Sequence, residues 1–157
     1  MLVINMKKTD IILLTQLRQN GRITLTDLSR KTNLPVSTLH ERLKKHLESG
    51  LVRPGMLMDF EKLGFKTRAY ILFASDEKEK LFGYLKEHPS VNSISRINNG
   101  WKLIMECVFK DMYSLEEFIE ETEKKFHIKQ KEVHYVLNEV KREGFFTQEN
   151  TALKMMR

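Results

Sequence analysis

The chain has 157 residues, a length that suits one domain or two small ones. Hydrophobic residues make up 41% of it and cysteine occurs once, so the composition favours a packed core and excludes a disulfide-stapled scaffold or a thiolate metal site. The formal net charge of +6 suggests a polyanionic partner, and without a long apolar run or signal peptide we expect a soluble, cytoplasmic protein with no membrane segment.

Two helices are predicted first. Apolar residues at helical spacing follow Thr9 and Asp10, either of which can cap a helix that ends at Asn20-Gly21. A shorter helix follows, capped by Thr24 or Thr26, and it runs to about residue 32.

A tight turn and a third helix come next. Asn33-Leu34-Pro35 favours a turn because asparagine tolerates the left-handed conformation. The third helix then runs from about Val36 to Ser49 and stops at Gly50. Three short helices with a three-residue turn before the last one predict a helix-turn-helix.

The third helix is amphipathic. One face is apolar, with His46 beside it, and the opposite face carries small hydroxyl side chains followed by basic ones. Hydroxyls at the N-terminal end can meet base edges or phosphates in a major groove, whereas Glu41 is favourable only if it accepts from a cytosine amino group or pairs with Lys45. A solvated face of mixed charge is the alternative interpretation. The candidate DNA-contacting residues are Arg22, Ser37, Thr38, His40, Glu41, Arg42, Lys44, Lys45 and Arg53.

A connecting segment follows the third helix. Residues 51–59 predict a short hairpin or wing, from which Arg53 either reaches a phosphate or remains an ordinary exposed arginine. Residues 60–64 predict one helical turn that links the two halves of the chain.

The second half alternates between strands and helices. The predicted elements are a strand over 67–74, a helix capped by Ser75-Asp76 and ending at His88-Pro89, strands over 91–97 and 101–109 joined by Asn98-Asn99-Gly100, a helix opened by a capping box at 114–117, and a strand over 131–141. This βαββαβ order is the ferredoxin-like arrangement. Residues 146–157 show little periodicity and receive no assignment.

The charge is concentrated at one end of the chain. Residues 1–64 carry 11 basic and 6 acidic side chains, whereas residues 65–143 carry 14 of each. Such asymmetry favours a nucleic-acid-binding module joined to a neutral one.

Several segments together resemble the leucine-responsive/asparagine-synthetase regulators, the Lrp/AsnC or feast/famine family. The first helix keeps that family's spacing at Asp10, Leu13-Leu14, Leu17 and Gly21-Arg22; residues 33–43 are similar to the segment leading into its recognition helix; and residues 56–65 are similar to its wing strand and linker. The βαββαβ half resembles its effector-binding and oligomerisation module. The similarity spans roughly residues 7–143.

Two departures from the family pattern bear on function. The family has a serine cap and then proline before its recognition helix, whereas here Pro35 is followed by Val36. The family also favours Gly-x-Tyr-Asp in a turn of the second module, where this chain has residues 99–102. Because lysine replaces the acidic residue, an anionic ligand, or none, is as open as an amino acid. The resemblance implies effector-binding candidates at Asn98, Asn99, Gly100, Trp101 and Lys102; Trp101 either forms a pocket wall or covers the sheet edge.

These observations predict an α+β protein. Its parts are an N-terminal winged helix-turn-helix with wing and linker over residues 1–64, a C-terminal ferredoxin-like βαββαβ domain over residues 65–143, and a tail over residues 144–157. We expect a sequence-specific regulator that binds double-stranded DNA, needs no cofactor, associates with itself as a dimer, tetramer or octamer, and responds to a small-molecule effector.

Two alternatives from other classes remain open. A siroheme-decarboxylase-like enzyme resembles the family in architecture, but its candidates Arg68, Arg96 and His134 lie on different predicted strands. The other alternative is a ligand-sensing or interaction protein without DNA binding, favoured by Glu41 and Lys102. The five histidines lack metal-ligand spacing and Cys107 lies in a predicted strand, so we expect no metal site and no catalytic residue.

Overall fold

The computed structural model describes residues 6–98, 100–101 and 103–156, so Asn99 and Lys102 lie outside the described part. The chain forms two compact units: the first joins the residues up to Met56 with those from Lys141 onward, and the second is Leu57–Val140. Within the described ranges, every helix is too short or too polar to cross a membrane.

The elements follow the chain order expected of two such modules. They are α1 (Lys8–Gln19), α2 (Leu25–Thr32), α3 (Val36–Glu48), β1 (Thr67–Ser75), α4 (Lys78–Lys86), β2 (Val91–Arg96), β3 (Leu103–Phe109), α5 (Met112–Lys125), β4 (Ile128–Tyr135) and α6 (Glu149–Met155).

The helix-turn-helix forms as predicted. Of the two alternatives for the second cap, Thr24 is the one used, since its hydroxyl accepts from the Asp27 N–H at 3.0 Å. Asn33 adopts the left-handed conformation with φ 54°, which turns the chain into α3. The three helices meet at Leu13, Leu28 and Leu39, all fully buried, with five further aliphatic side chains around them.

The start of α1 differs from the prediction. The helix begins at Lys8 rather than after Thr9 or Asp10, and the Asp10 carboxylate accepts a hydrogen bond from the Lys7 N–H at 2.8 Å. Asp10 therefore satisfies a free amide of the helix start from a position inside the first turn.

The hairpin predicted for residues 51–59 is not formed, since this stretch, all of it described, contains no strand. Its apolar side chains Met56, Leu57 and Met58 are exposed, and an isolated two-stranded hairpin without a packed face is marginal. The turn predicted over residues 60–64 does form, with Asp59 accepting from the Lys62 N–H and Gly64 at φ 89° closing it.

The second unit is a four-stranded antiparallel sheet in the order β2-β3-β1-β4, which confirms the ferredoxin-like prediction. One face packs against α4 and α5 because alternate residues of β1 and β3 are apolar and fully buried; Ile71 opposes Met105 and Phe73 opposes Leu103. The other face, which we call the open face, is free of helices within the described unit.

Several boundaries in this unit differ from the sequence-based expectation. The N-cap of α4 is Glu77 rather than Ser75 or Asp76, because Ser75 is the last residue of β1. Asp111 rather than Ser114 caps α5, since its carboxylate accepts from the Ser114 N–H at 2.8 Å. The last strand is Ile128–Tyr135 rather than residues 131–141, because it pairs with β1, and β1 starts at Thr67. After the hydrogen bond from the Val136 N–H to the Arg68 carbonyl, β1 has no further residues with which the chain could pair.

The unassigned C-terminal residues contain α6, which packs on α1 in the first unit. Ala152 is buried at the contact with 1% exposure. The segment before α6 is held by Arg18, which donates from Nε to the Phe145 carbonyl at 3.2 Å and pairs with Glu143.

Candidate nucleic-acid interface and effector cleft

The outer face of α3 brings together most of the predicted DNA contacts. Ser37, His40, Glu41, Lys44 and Lys45 are exposed and Thr38 is half-buried. Pro35, which has no side-chain donor or acceptor, stands at the N-cap, so the first amides of α3 keep their hydrogen-bonding capacity for an outside group.

Charge increases along this face from the small hydroxyls towards the C-terminal half of α3. Lys44 lies 3.9 Å from Glu48, an exposed pair that leaves the ammonium group accessible. The face thus has the composition of a helix that places hydroxyls near base edges and ammonium groups near phosphates.

Arg42 is placed apart from the other candidates. Its side chain is 24% exposed, and its Nη1 lies 3.7 Å from Oδ1 of the buried Asp10. His46, which the sequence placed beside the apolar face, is buried as well, and its Nε2 lies 3.0 Å from the same oxygen.

A second basic surface surrounds a cleft of ≈ 450 Å³ beside the start of α2. Arg22, a predicted contact, lines it together with Arg30 and Lys31, which sequence reasoning missed. Both missed residues lie in the last turn of α2, and a helical projection of α2 would have placed them on its exposed side. Arg53 is exposed in the extended segment after α3.

The second unit carries a cleft of ≈ 430 Å³ where β1 ends, β4 begins and the β2–β3 turn approaches. Gly100, a predicted effector residue, lines it; Asn98 is exposed and Trp101 is half-buried in the same turn. Three charged lining residues were missed, namely Asp76, Lys78 and Lys129, because only the folded chain brings them near a turn more than twenty residues away in sequence.

The charges of this cleft are partly paired. Lys129 Nζ lies 2.7 Å from Asp76 Oδ2, and this ammonium group holds the pKa of the Asp76 carboxyl below its ordinary value. The cleft therefore offers one carboxylate and two ammonium groups to a small ligand.

The three candidates of the enzyme alternative are not all brought together. Arg68 and His134 lie on the open face, whereas Arg96 opposes the buried Leu103, covers the Phe82 ring at 4.8 Å and pairs with Glu79 on α4.

Cys107 is fully buried, and this burial, with Glu106 adjacent, raises the pKa of its thiol to about 12, which leaves it protonated and unreactive at neutral pH. Among the described residues, no group of three or more histidine, cysteine or acidic side chains is arranged to hold a metal ion.

A basic helix-turn-helix joined to a ferredoxin-like unit with a polar cleft defines a class of protein, the DNA-binding regulators that carry a ligand-sensing module. Comparison with known proteins agrees with this class. Residues 6–53 match the winged helix-turn-helix DNA-binding family, and residues 73–145 match the Lrp/AsnC ligand binding domain.

Individual relatives give the same result. An HTH-type transcriptional regulator of Pyrococcus furiosus is 30% identical over 118 residues, which are 71% of this chain and 76% of that protein. A transcriptional regulator of Neisseria meningitidis, solved as an L-Met complex, is 26% identical with a TM-score of 0.79, over 87% of this chain and 93% of that one. LrpC of Bacillus subtilis has the same fold, with a TM-score of 0.79 at 18% identity over 88% and 99% of the two chains.

The chain belongs to the Lrp/AsnC family. It is a DNA-binding transcriptional regulator with a ligand-binding domain.

Proposed function

We propose that this regulator reads DNA with the exposed face of α3. Ser37 and Thr38 enter the major groove first, His40 and Glu41 face base edges, and Lys44 and Lys45 contact phosphates further along. The observation that carries the proposal is the order of side chains on this face, hydroxyl first and basic afterwards.

The basic surface beside α2 extends the same interface. Arg22, Arg30 and Lys31 surround one cleft, and Arg53 follows α3. We assign to these four residues phosphate contacts that fix the protein on the duplex without reading sequence.

The experiment is selection of bound DNA from a random pool, followed by affinity measurements of the selected site over a range of salt concentrations. Each phosphate contact contributes about 0.9 to the slope of log K against log salt. Lys45→Gln should therefore lower the slope by about 1. Lys80→Gln, a change to an exposed lysine of α4, is the matched control and should leave it unchanged. Equal slopes for the wild type and Lys45→Gln would remove Lys45 from the interface.

The effector site is the cleft at the end of the sheet. The carboxylate of Asp76 suits an ammonium group, and Lys78 and Lys129 suit a carboxylate, so the lining favours a zwitterionic α-amino acid. The lysine at position 102 leaves an amino acid, an anionic ligand and no ligand equally open. Asp76 supplies the acidic partner for an ammonium group that the turn sequence lacks. The relative from Neisseria meningitidis, solved with L-Met, supports this choice of ligand class.

Calorimetric titration tests the ligand class with amino acids, beginning with L-methionine, and with the same molecule lacking its amino group. We expect a zwitterion to bind at least about tenfold more tightly than its des-amino analogue, since a charged hydrogen bond is worth roughly 1.5–3 kcal/mol. Asp76→Asn should abolish that preference, whereas Glu87→Gln, elsewhere on the unit, should keep it. Preference for the des-amino acid or a dicarboxylate would instead establish an anionic effector.

Two copies of the chain pair through the open face of the sheet. This face carries the apolar side chains Tyr70, Leu72, Ile104 and Val108, with the ion pair between Arg68 and Glu106 among them, and no helix of the described unit covers it. A sheet with one helix-free apolar face buries that face best against a second sheet. A dimer would present two α3 helices to half-sites about one DNA turn apart or a multiple of it. In this assembly the protein acts by binding and not by catalysis.

A further inference from the structure

Asp10 joins α1 to α3 through two different oxygens. Oδ2 accepts from the Lys7 N–H at 2.8 Å, within the first turn of α1. Oδ1 points to α3, where His46 Nε2 lies 3.0 Å away and Arg42 Nη1 lies 3.7 Å away. Because an ionised carboxylate only accepts, the imidazole donates from Nε2.

The contacts of Asp10 with His46 and Arg42, which we call the link, are centred on buried side chains. Asp10 is 2% exposed and His46 is 3% exposed, beside a core made of leucine side chains. A carboxylate left without partners in such a place is costly, so arrangements of α3 that separate it from these donors are disfavoured.

The two α3 partners define a direction. Arg42 and His46 are four residues apart and therefore lie one above the other on the same side of α3. Leucine packing is non-directional and tolerates rotation of a helix, whereas hydrogen bonds depend on angle. Asp10 Oδ1 makes a hydrogen bond with His46 and lies within ion-pair distance of Arg42 one turn away, so this one oxygen restricts both the rotation and the slide of α3.

We infer that Asp10 is a positioning residue for DNA reading. It acts through Arg42 and His46 and sets the rotation at which α3 presents Ser37, Thr38 and Lys45 to the groove. Arg42 is engaged in this link and does not contact a phosphate, in contrast to its neighbours Lys44 and Lys45. The inference rests on the proposed use of α3 as the DNA-reading helix.

The test is a double-mutant cycle on the full-length protein, with Asp10→Asn, Arg42→Gln and both together. Affinity is measured for the selected DNA site and for a shuffled sequence of the same length. Each single change should weaken selected-site binding about tenfold, the cost of one lost base contact, while binding to shuffled DNA changes less than twofold. The double variant should bind no more weakly than either single one, because both changes break the same link.

Salt dependence distinguishes the two roles of a basic residue. Arg42→Gln should keep the wild-type slope of log K against log salt, whereas the control Lys45→Gln lowers it by about 1 and weakens both DNAs alike. His46→Gln retains an N–H donor and should recover at least half of the affinity lost in His46→Leu.

Three outcomes would overturn the inference: wild-type selectivity in both single variants, losses that multiply to about a hundredfold in the double variant, or a reduced salt slope for Arg42→Gln. Thermal melting in parallel identifies a variant that fails to fold. If Asp10→Asn fails in this way, the comparison of Arg42→Gln with wild type and of His46→Gln with His46→Leu tests the inference. A wild-type protein that binds neither DNA refutes the proposed function instead.

Discussion

The Asp10 carboxyl group is subject to opposing influences on its pKa. Burial raises it, but the Lys7 N–H, the His46 ring and the Arg42 guanidinium favour the ionised form more strongly, so the pKa lies below its ordinary value of 3.8. A pKa that is lower in the folded than in the unfolded state gives a stabilisation that is complete above the unfolded value and is lost as the pH falls through the folded value. Asp10→Asn should therefore lower the free energy of unfolding by about 2 kcal/mol at pH 7. Below about pH 4 the difference in unfolding free energy should begin to narrow, and it should close only once the pH is below the folded-state pKa.

Urea unfolding at pH 7 and at intervals from pH 5 to pH 3 measures this difference. Glu117→Gln, a change to an exposed carboxylate of α5, is the control and should unfold like the wild type throughout. If the difference in unfolding free energy between Asp10→Asn and the wild type stays constant down to pH 3, the carboxylate charge does not stabilise the fold.

Among the elements, α6 makes the clearest separate prediction. The match to the ligand-binding family ends at residue 145, and α6 lies beyond it, packed on α1 of the helix-turn-helix unit. Ala152→Asp should destabilise that unit by about 2–3 kcal/mol, since it places an unpaired carboxylate in the contact with α1. Asn150→Asp changes an exposed residue of the same helix and should leave the melting temperature within about 1 °C of the wild type. Equal melting of the two variants would show that α6 does not stabilise α1.

Elements defined by local chemistry were predictable, and those defined by distant contacts were not. Asn33 marks the turn because few residues accept its left-handed conformation, and the strand and turn residues of the second half are sufficient to give the sheet order. By contrast, 36 residues separate Asp10 from His46, and helical periodicity shows only a polar residue beside an apolar stripe. The seven residues of α6 bury only Ala152 strongly, which leaves no periodic signal.

At the scale of the whole molecule, the proposed pairing through the open face predicts how DNA binding responds to a change on that face. Tyr70 is the most exposed apolar side chain of that face, at 39%, so shortening it costs the single chain little while removing an aromatic anchor from a dimer. Tyr70→Asn should raise the dimer dissociation constant at least about tenfold in sedimentation experiments. It should also reduce affinity for a two-half-site DNA more than affinity for a single half-site, because only a dimer engages both halves.

Tyr113→Asn removes the same side chain from α5, where it is 78% exposed on the helical side of the sheet, and serves as the matched control. It should preserve both self-association and the preference for two half-sites. If Tyr113→Asn dissociates the protein and Tyr70→Asn does not, the subunits meet through the helices. The open face must then be covered by something other than a second copy. The spacing of the α3 helices would in that case follow a different symmetry axis, and the half-site separation found by selection would reveal it.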